Sequence, residues 1–347
     1  MTPASIRPAR IRPIRILKLA FAALALAAMG LPARAEVGQV RISKGYGILY
    51  LPLIVMQDQK LLEARAAKAG LGDVKVEWLT IDGGNVINDA MMAGSLDLVG
   101  TGAPGFIVLW AKARGIPRAE VVGLTGMSAT ALWLNTNKPA IKSLRDFTAT
   151  DKIALPGIKT SLAAVVLQMM AAKEFGRENY AKLDPMTVGL PHPEGVAALV
   201  GGRTEITAHF TSPPFQYIEA KSPNVKRVAN SVDYLGNITL DVTFGAKRFV
   251  DANPKLTQAF IDAMDDANAL IARDRRVAAE IFVRGSKVKV DADEVLQMLE
   301  DPDTRFSSTP NGVMQFAEFM HAAGITKLKP AAWSEMFVPQ LRDRQGS

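Results

Sequence analysis

The sequence predicts an α/β fold made of two lobes on one plan, each an open sheet with helices on both faces. Three observations lead there. Between Val40 and Leu124, short apolar strands alternate with helical stretches as β-α-β-α-β-α-β. From Leu132 onward the alternation starts again. The stretch AMMAGSLDLVGTGA (90–103) then returns as AALVGGRTEITAHFT (197–211), with Gly94 opposite Gly202, Asp97 opposite Glu205 and Thr101 opposite His209.

In chain order, 40–43 is a first strand and Lys44-Gly45-Tyr46-Gly47 a turn. Apolar spacing predicts a helix over 49–69, bent near Pro52. Residues 74–79 (VKVEWL) alternate apolar and charged, as a half-covered strand does. Gly83-Gly84-Asn85 opens a short helix that Gly94-Ser95 stops. Residues 96–99 are an apolar strand, 100–105 a turn, 106–113 a helix and 121–124 a strand. Two helix N-termini thus flank one buried strand. Their free N–H groups form a cradle for an anion or polar ligand, approached closely past Gly83, Gly84, Gly100 and Gly102. Ordinary turn chemistry is the alternative use of the same residues.

The second lobe begins near residue 127. Strands are expected at 132–135, 152–155, 186–190 and 205–208, with helices at 143–147, 162–174 and 194–200. The helix over 162–174 is apolar on almost every side and therefore buried; Thr160 or Ser161 is its N-cap. His209-Phe210-Thr211-Ser212-Pro213-Pro214 is expected as the turn beyond the last of these strands. From about Leu240 the chain is mainly helical: a last strand at 242–245, then Asn253-Pro254 opening a long helix. These amphipathic helices should fold back over the first lobe.

The first 35 residues stand apart. Arg7, Arg10, Arg12, Arg15 and Lys18 precede a thirteen-residue apolar run, and Ala33-Arg34-Ala35 offers a cleavage site before Glu36. This is the pattern of a secretory signal peptide over 1–35, too short to span a bilayer. It holds six of the 41 Lys and Arg and none of the 34 Asp and Glu, so the remainder carries 35 basic and 34 acidic groups. The formal charge of +7 therefore belongs mostly to the leader, and nucleic acid loses its support as a partner. With no cysteine, thiolate metal sites, disulfides and cysteine nucleophiles are excluded.

Several segments together resemble the substrate-binding proteins of ABC importers, of the nitrate/sulfonate/taurine type. They are GYGILYLPLIVMQDQ, GGNVINDAMMAGSLDLVGTGAPGFIVLWAKARG, IKSLRDFTATDKIALPGIKTS, GVAALVGGRTEITAHFTSPP, VDANPKLTQAFIDAM and PNGVMQFAEFMHAAGI, in that order over most of residues 40–340. The resemblance implies a two-lobe periplasmic-binding fold of type II, with lobe I at 36–126 plus 239–347 and lobe II at 127–238. It places the ligand between the lobes and the crossings near Gly126–Ser128 and Gly236–Leu240. It also implies an exported periplasmic monomer that closes on a small-molecule ligand and presents it to an inner-membrane permease with its cytoplasmic ATPase.

On that plan the ligand meets turns at the carboxyl ends of strands. Lobe I offers Lys44, Tyr46, Asn85, Thr101 and Gly102; lobe II offers Lys159, Thr160, Ser161, His209 and Phe210; the crossing offers Ser128 and Thr130. Thr160 and Ser161 would donate hydroxyls to an oxyanion, or else cap the helix. Lys44 and Lys159 would supply charge, or else lie solvated. His209 would contact ligand, or else be satisfied inside the fold. Tyr46 and Phe210 would stack on an organic ligand, or else belong to the core rim. His192, between two prolines, is expected in a loop and His321 on a late helix, so the three histidines give no metal spacing. These donors favour a small anion such as a sulfonate, nitrate or carboxylate, with a neutral heterocycle as the alternative, and no cofactor is expected. An enzyme on the same fold, similar to pyrimidine-precursor synthases, would need cysteine-bearing motifs. A transcription regulator's sensor lobe would need a helix-turn-helix where the leader stands.

Overall fold

The computed structural model of the chain describes residues 36–347 except 82–83 and 287, and excludes the side chains of 84–85. The expected leader, the Gly83 helix opening and the side chain of Asn85 therefore lie outside the described residues.

Along the chain come β1 (Gln39–Lys44), α1 (Leu51–Asp58), α2 (Leu61–Lys68), β2 (Lys75–Thr80), α3 (Gly84–Met92), β3 (Leu98–Gly102), α4 (Ala103–Ala113) and β4 (Val121–Ala129). Then follow β5 (Trp133–Thr136), β6 (Ile153–Leu155), α5 (Leu162–Phe175), β7 (Thr187–Gly189), α6 (His192–Gly201), β8 (Ala208–Thr211), α7 (Phe215–Ala220), β9 (Lys226–Asn230) and α8 (Ser231–Leu235). The chain closes with β10 (Asp241–Ala246), α9 (Lys247–Ala252), α10 (Pro254–Arg273), α11 (Arg275–Gly285), α12 (Ala292–Glu300), β11 (Arg305–Phe306) and α13 (Val313–Ala322).

The strands form two sheets. The six-stranded sheet has the order β11-β4-β10-β3-β1-β2 and the five-stranded sheet the order β7-β6-β8-β5-β9. In the first, β1 is parallel to β2 and β3, while β10 runs antiparallel between β3 and β4. In the second, β6 is parallel to β7 and β8, and β5 is antiparallel to β8 and β9. The chain passes from one sheet to the other between Ala129 and Trp133 and returns between Asn230 and Asp241. Gly126–Ser128 lies inside β4, paired with β10.

Apolar helices fill the layers beside the sheets. Phe106 of α4 stacks on Phe244 of β10, with ring centroids 5.2 Å apart, and meets Phe337 edge-on at 5.6 Å. The C-terminal helices do fold back: α10 packs on α1 and α2, and α11 on α1. Arg65–Asp266 and Arg284–Asp58 ion pairs tie these same layers together.

Four local expectations are corrected. Pro52 does not bend a helix over 49–69; it sits in the first turn of α1, where its missing N–H costs nothing. The break falls instead at Lys60, which adopts a left-handed conformation with φ 50°. The strand expected at 205–208 is β8 (Ala208–Thr211), held there by its pairing with β5 and β6. His209 and Phe210 are consequently strand residues, not turn residues. His192 opens α6 and is buried rather than in a loop. Gly94 and Gly202 end their helices in the left-handed region as expected, at φ 72° and 62°.

Candidate functional site

The carboxyl ends of β1, β3, β6 and β8 converge on one cavity of about 60 Å³ between the two sheets. Open α/β sheets leave polar backbone groups at these strand ends, where each chain turns into a helix. From the six-stranded side come Tyr46 and Tyr50 after β1, Thr101 and Gly102 at the end of β3, and Asp241 at the start of β10. From the five-stranded side come Thr160 and Ser161 after β6, His192 at the start of α6, and Thr211 and Ser212 at the end of β8. Two lobes in contact enclose this space. The Ile48 N–H donates to the Pro213 carbonyl at 3.1 Å, and the Tyr217 hydroxyl donates to Asp301 at 2.9 Å.

Of the sequence candidates, Tyr46, Thr101, Gly102, Thr160 and Ser161 line the cavity. Lys44 is buried beside Tyr46 but lines a neighbouring pocket with Thr80 and Ser286. Lys159 is exposed and takes a left-handed backbone, φ 67°, in the tight turn before α5. Thr130 pairs with Thr304 at 3.2 Å where the chain crosses between sheets. Ser128 is buried in β4, and its hydroxyl finds no hydrogen bond among the described residues. Phe210 lies wholly in the apolar core, because its strand position points it away from the turn.

Ser161 plays the capping role. Its Oγ accepts from the Ala164 N–H at 3.2 Å and donates to the Gly157 carbonyl, so both functions of the hydroxyl are engaged within the turn. What this turn offers the cavity is the first turn of α5, where Leu162 and Ala163 line the wall and helix N–H groups have no intrahelical partner.

Sequence reasoning missed His192, Thr211, Ser212 and Asp241. The signal for His192 was its place at a helix start directly after β7, topologically equivalent to Thr160-Ser161 after β6. Its ring stacks on Phe215 at 5.1 Å, and its Nδ1 lies 3.1 Å from His209 Nε2 and 3.0 Å from Thr211 Oγ1. His209 Nδ1 in turn meets Glu219 Oε1 at 2.5 Å, and Asn135 Nδ2 donates to Glu219 Oε2 at 2.9 Å. His209 and Glu219 are both fully buried. Burial, and then the neighbouring His209, hold the His192 pKa well below the ordinary 6.5.

The lining is thus rich in hydroxyl, imidazole and backbone donors. Among the described residues no Lys or Arg lines it, and its one formally charged side chain is Asp241, 1% exposed. No cluster of three or more His, Asp or Glu is placed to hold a metal ion among the described residues. Nor is any described helix long and apolar enough to cross a membrane.

No family model and no curated protein matches the chain. Solved structures do. The alkanesulfonate-binding protein SsuA of Xanthomonas axonopodis pv. citri, bound to MOPS, superposes with a TM-score of 0.66 at 21% identity, over 84% of this chain and 95% of its own. The periplasmic nitrate-binding protein NrtA of Synechocystis PCC 6803 gives 0.65 at 15% identity, over 86% and 84%. A Candida albicans protein described as exhibiting the generic periplasmic binding protein fold gives 0.62 at 15% identity, over 84% and 92%. With its two α/β sheets and the cavity between them, the chain has the two-lobe fold of the periplasmic binding proteins.

Proposed function

We propose that this chain is the exported solute-binding component of an ABC importer. It takes up a small oxyanion-bearing solute of the sulfonate, nitrate, taurine or carboxylate class and does no chemistry on it. Lobe I (36–126 plus 239–347) and lobe II (127–238) close on the solute, and the closed form is read by an inner-membrane permease coupled to a cytoplasmic ATPase. The protein acts as a monomer in the periplasm, after cleavage of the leader behind Ala35.

The observation that carries this reading is the cavity itself. Donors reach it from both sheets at once, Thr101 and Gly102 from one side, Thr160, His192 and Thr211 from the other. A solute touching both sets stabilises the closed arrangement over the open one, which is what couples binding to lobe movement. The size, about 60 Å³, suits a few heavy atoms rather than a cofactor.

Asp241 narrows the class. A solute with an oxyanion at one end and an ammonium at the other, as in taurine, would use both the hydroxyl and amide donors and the Asp241 carboxylate. The test is a thermal-shift screen of the mature protein with taurine, alkanesulfonates, nitrate and carboxylates. A true solute at a hundred times its Kd adds about 2.7 kcal/mol to the folded state. A flat melting temperature across the set refutes the assignment.

A further inference from the structure

His192 is a cavity residue whose ring has one nitrogen committed inward. Its Nδ1 faces His209 Nε2 and Thr211 Oγ1, and its Nε2 holds no hydrogen bond among the described residues. Whether Nε2 offers a proton or a lone pair to a solute depends on the buried groups behind it.

Those groups bias the choice. Glu219 and His209 are fully buried, and an ionised Glu219 beside a neutral ring would leave a buried net charge with only the Asn135 amide donating to its second oxygen. A neutral pair holds two protons between carboxyl and imidazole, in one of three ways. In two of them, carboxylate with imidazolium and carboxylic acid donating from Oε1 to a neutral ring, His209 Nε2 carries a proton. The third puts the acid proton on Glu219 Oε2 and leaves His209 Nε2 bare. Asn135 opposes it, because its Nδ2 donates to Oε2, the oxygen that would carry the proton. That amide orientation is fixed by the second bond Nδ2 makes, to the Gln216 carbonyl at 3.3 Å.

We infer that the buried His209–Glu219 pair locks His192 in its Nε2–H tautomer, making it a hydrogen-bond donor that selects an oxyanion at the cavity. His209 Nε2–H donates to His192 Nδ1, which must then be bare, and a neutral ring with bare Nδ1 carries its proton on Nε2. The same N–H opposes protonation of His192 at Nδ1. The Thr211 hydroxyl fits this arrangement by sharing the same lone pair as a second donor, and it would equally accept from a protonated Nδ1. All these groups belong to the five-stranded sheet and its helices, so the tautomer does not depend on how far the lobes are open. Asp241 lines the same cavity from the other sheet, and Glu194 on the same helix is exposed. His209 and Glu219 are positioning residues; His192 is the contact. That the donor meets a solute rests on the reading of the cavity as a binding site, whereas the tautomer does not.

The test uses long-range ¹H–¹⁵N spectra of the ¹⁵N-labelled mature protein at pH 7. Only three histidines contribute, and His321→Gln and His192→Phe assign two of them. His192 is expected to show a protonated Nε2 and a bare Nδ1; the reverse pattern, or an imidazolium, overturns the inference. In Glu219→Gln the amide can accept from Asn135 and donate to His209 Nδ1, so the His192 tautomer is retained. In Glu219→Leu that bias is gone and an Nδ1–H form of His192 appears; an unchanged spectrum overturns the role of the pair. Should that variant not fold, the wild-type spectrum still decides. Binding is read separately: His192→Phe should weaken the solute found in the screen by roughly tenfold or more. If it binds unchanged, the donor role fails while the solute-binding function stands. If no solute binds the wild type, the spectrum still tests the tautomer.

Discussion

Gly102 and Leu162 meet across the cavity: a Cβ built on Gly102 would stand 2.7 Å from the Cβ of Leu162, closer than real Cβ contacts come. Gly102 ends β3 in one sheet's layer, and Leu162 opens α5 in the other's. The glycine is needed here for approach, not for its backbone angle, since its φ is an ordinary −55°. Gly102→Ala should therefore leave each sheet intact while holding the lobes apart. The expected outcome is an unliganded melting temperature within a few degrees of wild type and a solute Kd raised about tenfold or more. Small-angle scattering with solute present should show the variant remaining more open. Wild-type affinity in this variant would mean the contact shown here is not the bound arrangement.

Ser161 and Thr160, neighbours in one turn, should separate cleanly. The Ser161 hydroxyl is engaged on both sides by the Ala164 N–H and the Gly157 carbonyl. Loss of an N-cap costs about 1 kcal/mol. Ser161→Ala should lower stability by about that amount in urea titrations, with solute affinity falling only as far as the turn shifts. Thr160→Val keeps the shape of the side chain and removes its hydroxyl, and is expected to weaken solute binding several-fold. Equal losses of affinity in both would show that Ser161 is also a contact.

Most of the scaffold was legible because it rests on local signals. Gly94 and Gly202 stop their helices where the pattern placed them. The apolar run of α5 is buried as its composition demands. The pairing of Thr101 with His209 was not legible from counting alone. From Gly94 to Leu98, where β3 begins, is four positions, but from Gly202 to Ala208, where β8 begins, is six. Thr211 therefore takes the place opposite Thr101, and both line the cavity. Asp97, half of the same repeat, ties the start of β3 to β1 instead. It accepts from the Arg41 backbone N–H at 2.9 Å and from its guanidinium at 3.0 and 2.8 Å. His192 was hidden for a different reason. Its partners come from β5, β8 and α7, and only sheet pairing across long separations brings them together.

Burial of His192 carries a pH signature. Its folded pKa lies well below 6.5, so beneath that pH the unfolded chain takes up a proton that the folded protein refuses. The unfolded state then binds more protons, and stability falls as pH falls, from about 6.5 down to the depressed folded value. The slope approaches about 1.4 kcal/mol per pH unit. His209 and Glu219 lie behind the ring and Asp241 also lines the cavity, so the measurement is a difference between two proteins that share them. Urea denaturation between pH 7.5 and pH 5.5 should show wild type losing stability more steeply than His192→Phe as pH drops. Parallel curves would place the sensitivity elsewhere.

Charge at the cavity should decide between solutes of similar shape. Asp241 opens β10, where it pairs with Gly102 on one side and Ser128 on the other, and its side chain is buried at the cavity. Two unit charges 4 Å apart interact by about 4 kcal/mol at an effective dielectric of 20, a value suited to partly solvated sites. The carboxylate therefore discriminates between solutes that share an oxyanion and differ by an ammonium. Taurine and ethanesulfonate form such a pair. Wild-type protein should bind taurine the tighter of the two by tenfold or more in calorimetry. Asp241→Asn is nearly isosteric and removes the charge, so it should weaken taurine and strengthen ethanesulfonate, bringing the two affinities together. Because the donors from Thr101, Thr160 and the α5 N-terminus are untouched, total loss of both ligands is not expected. If ethanesulfonate is already preferred by the wild type, Asp241 does not face the bound solute, and the solute is a simple anion held by the hydroxyl and amide donors alone.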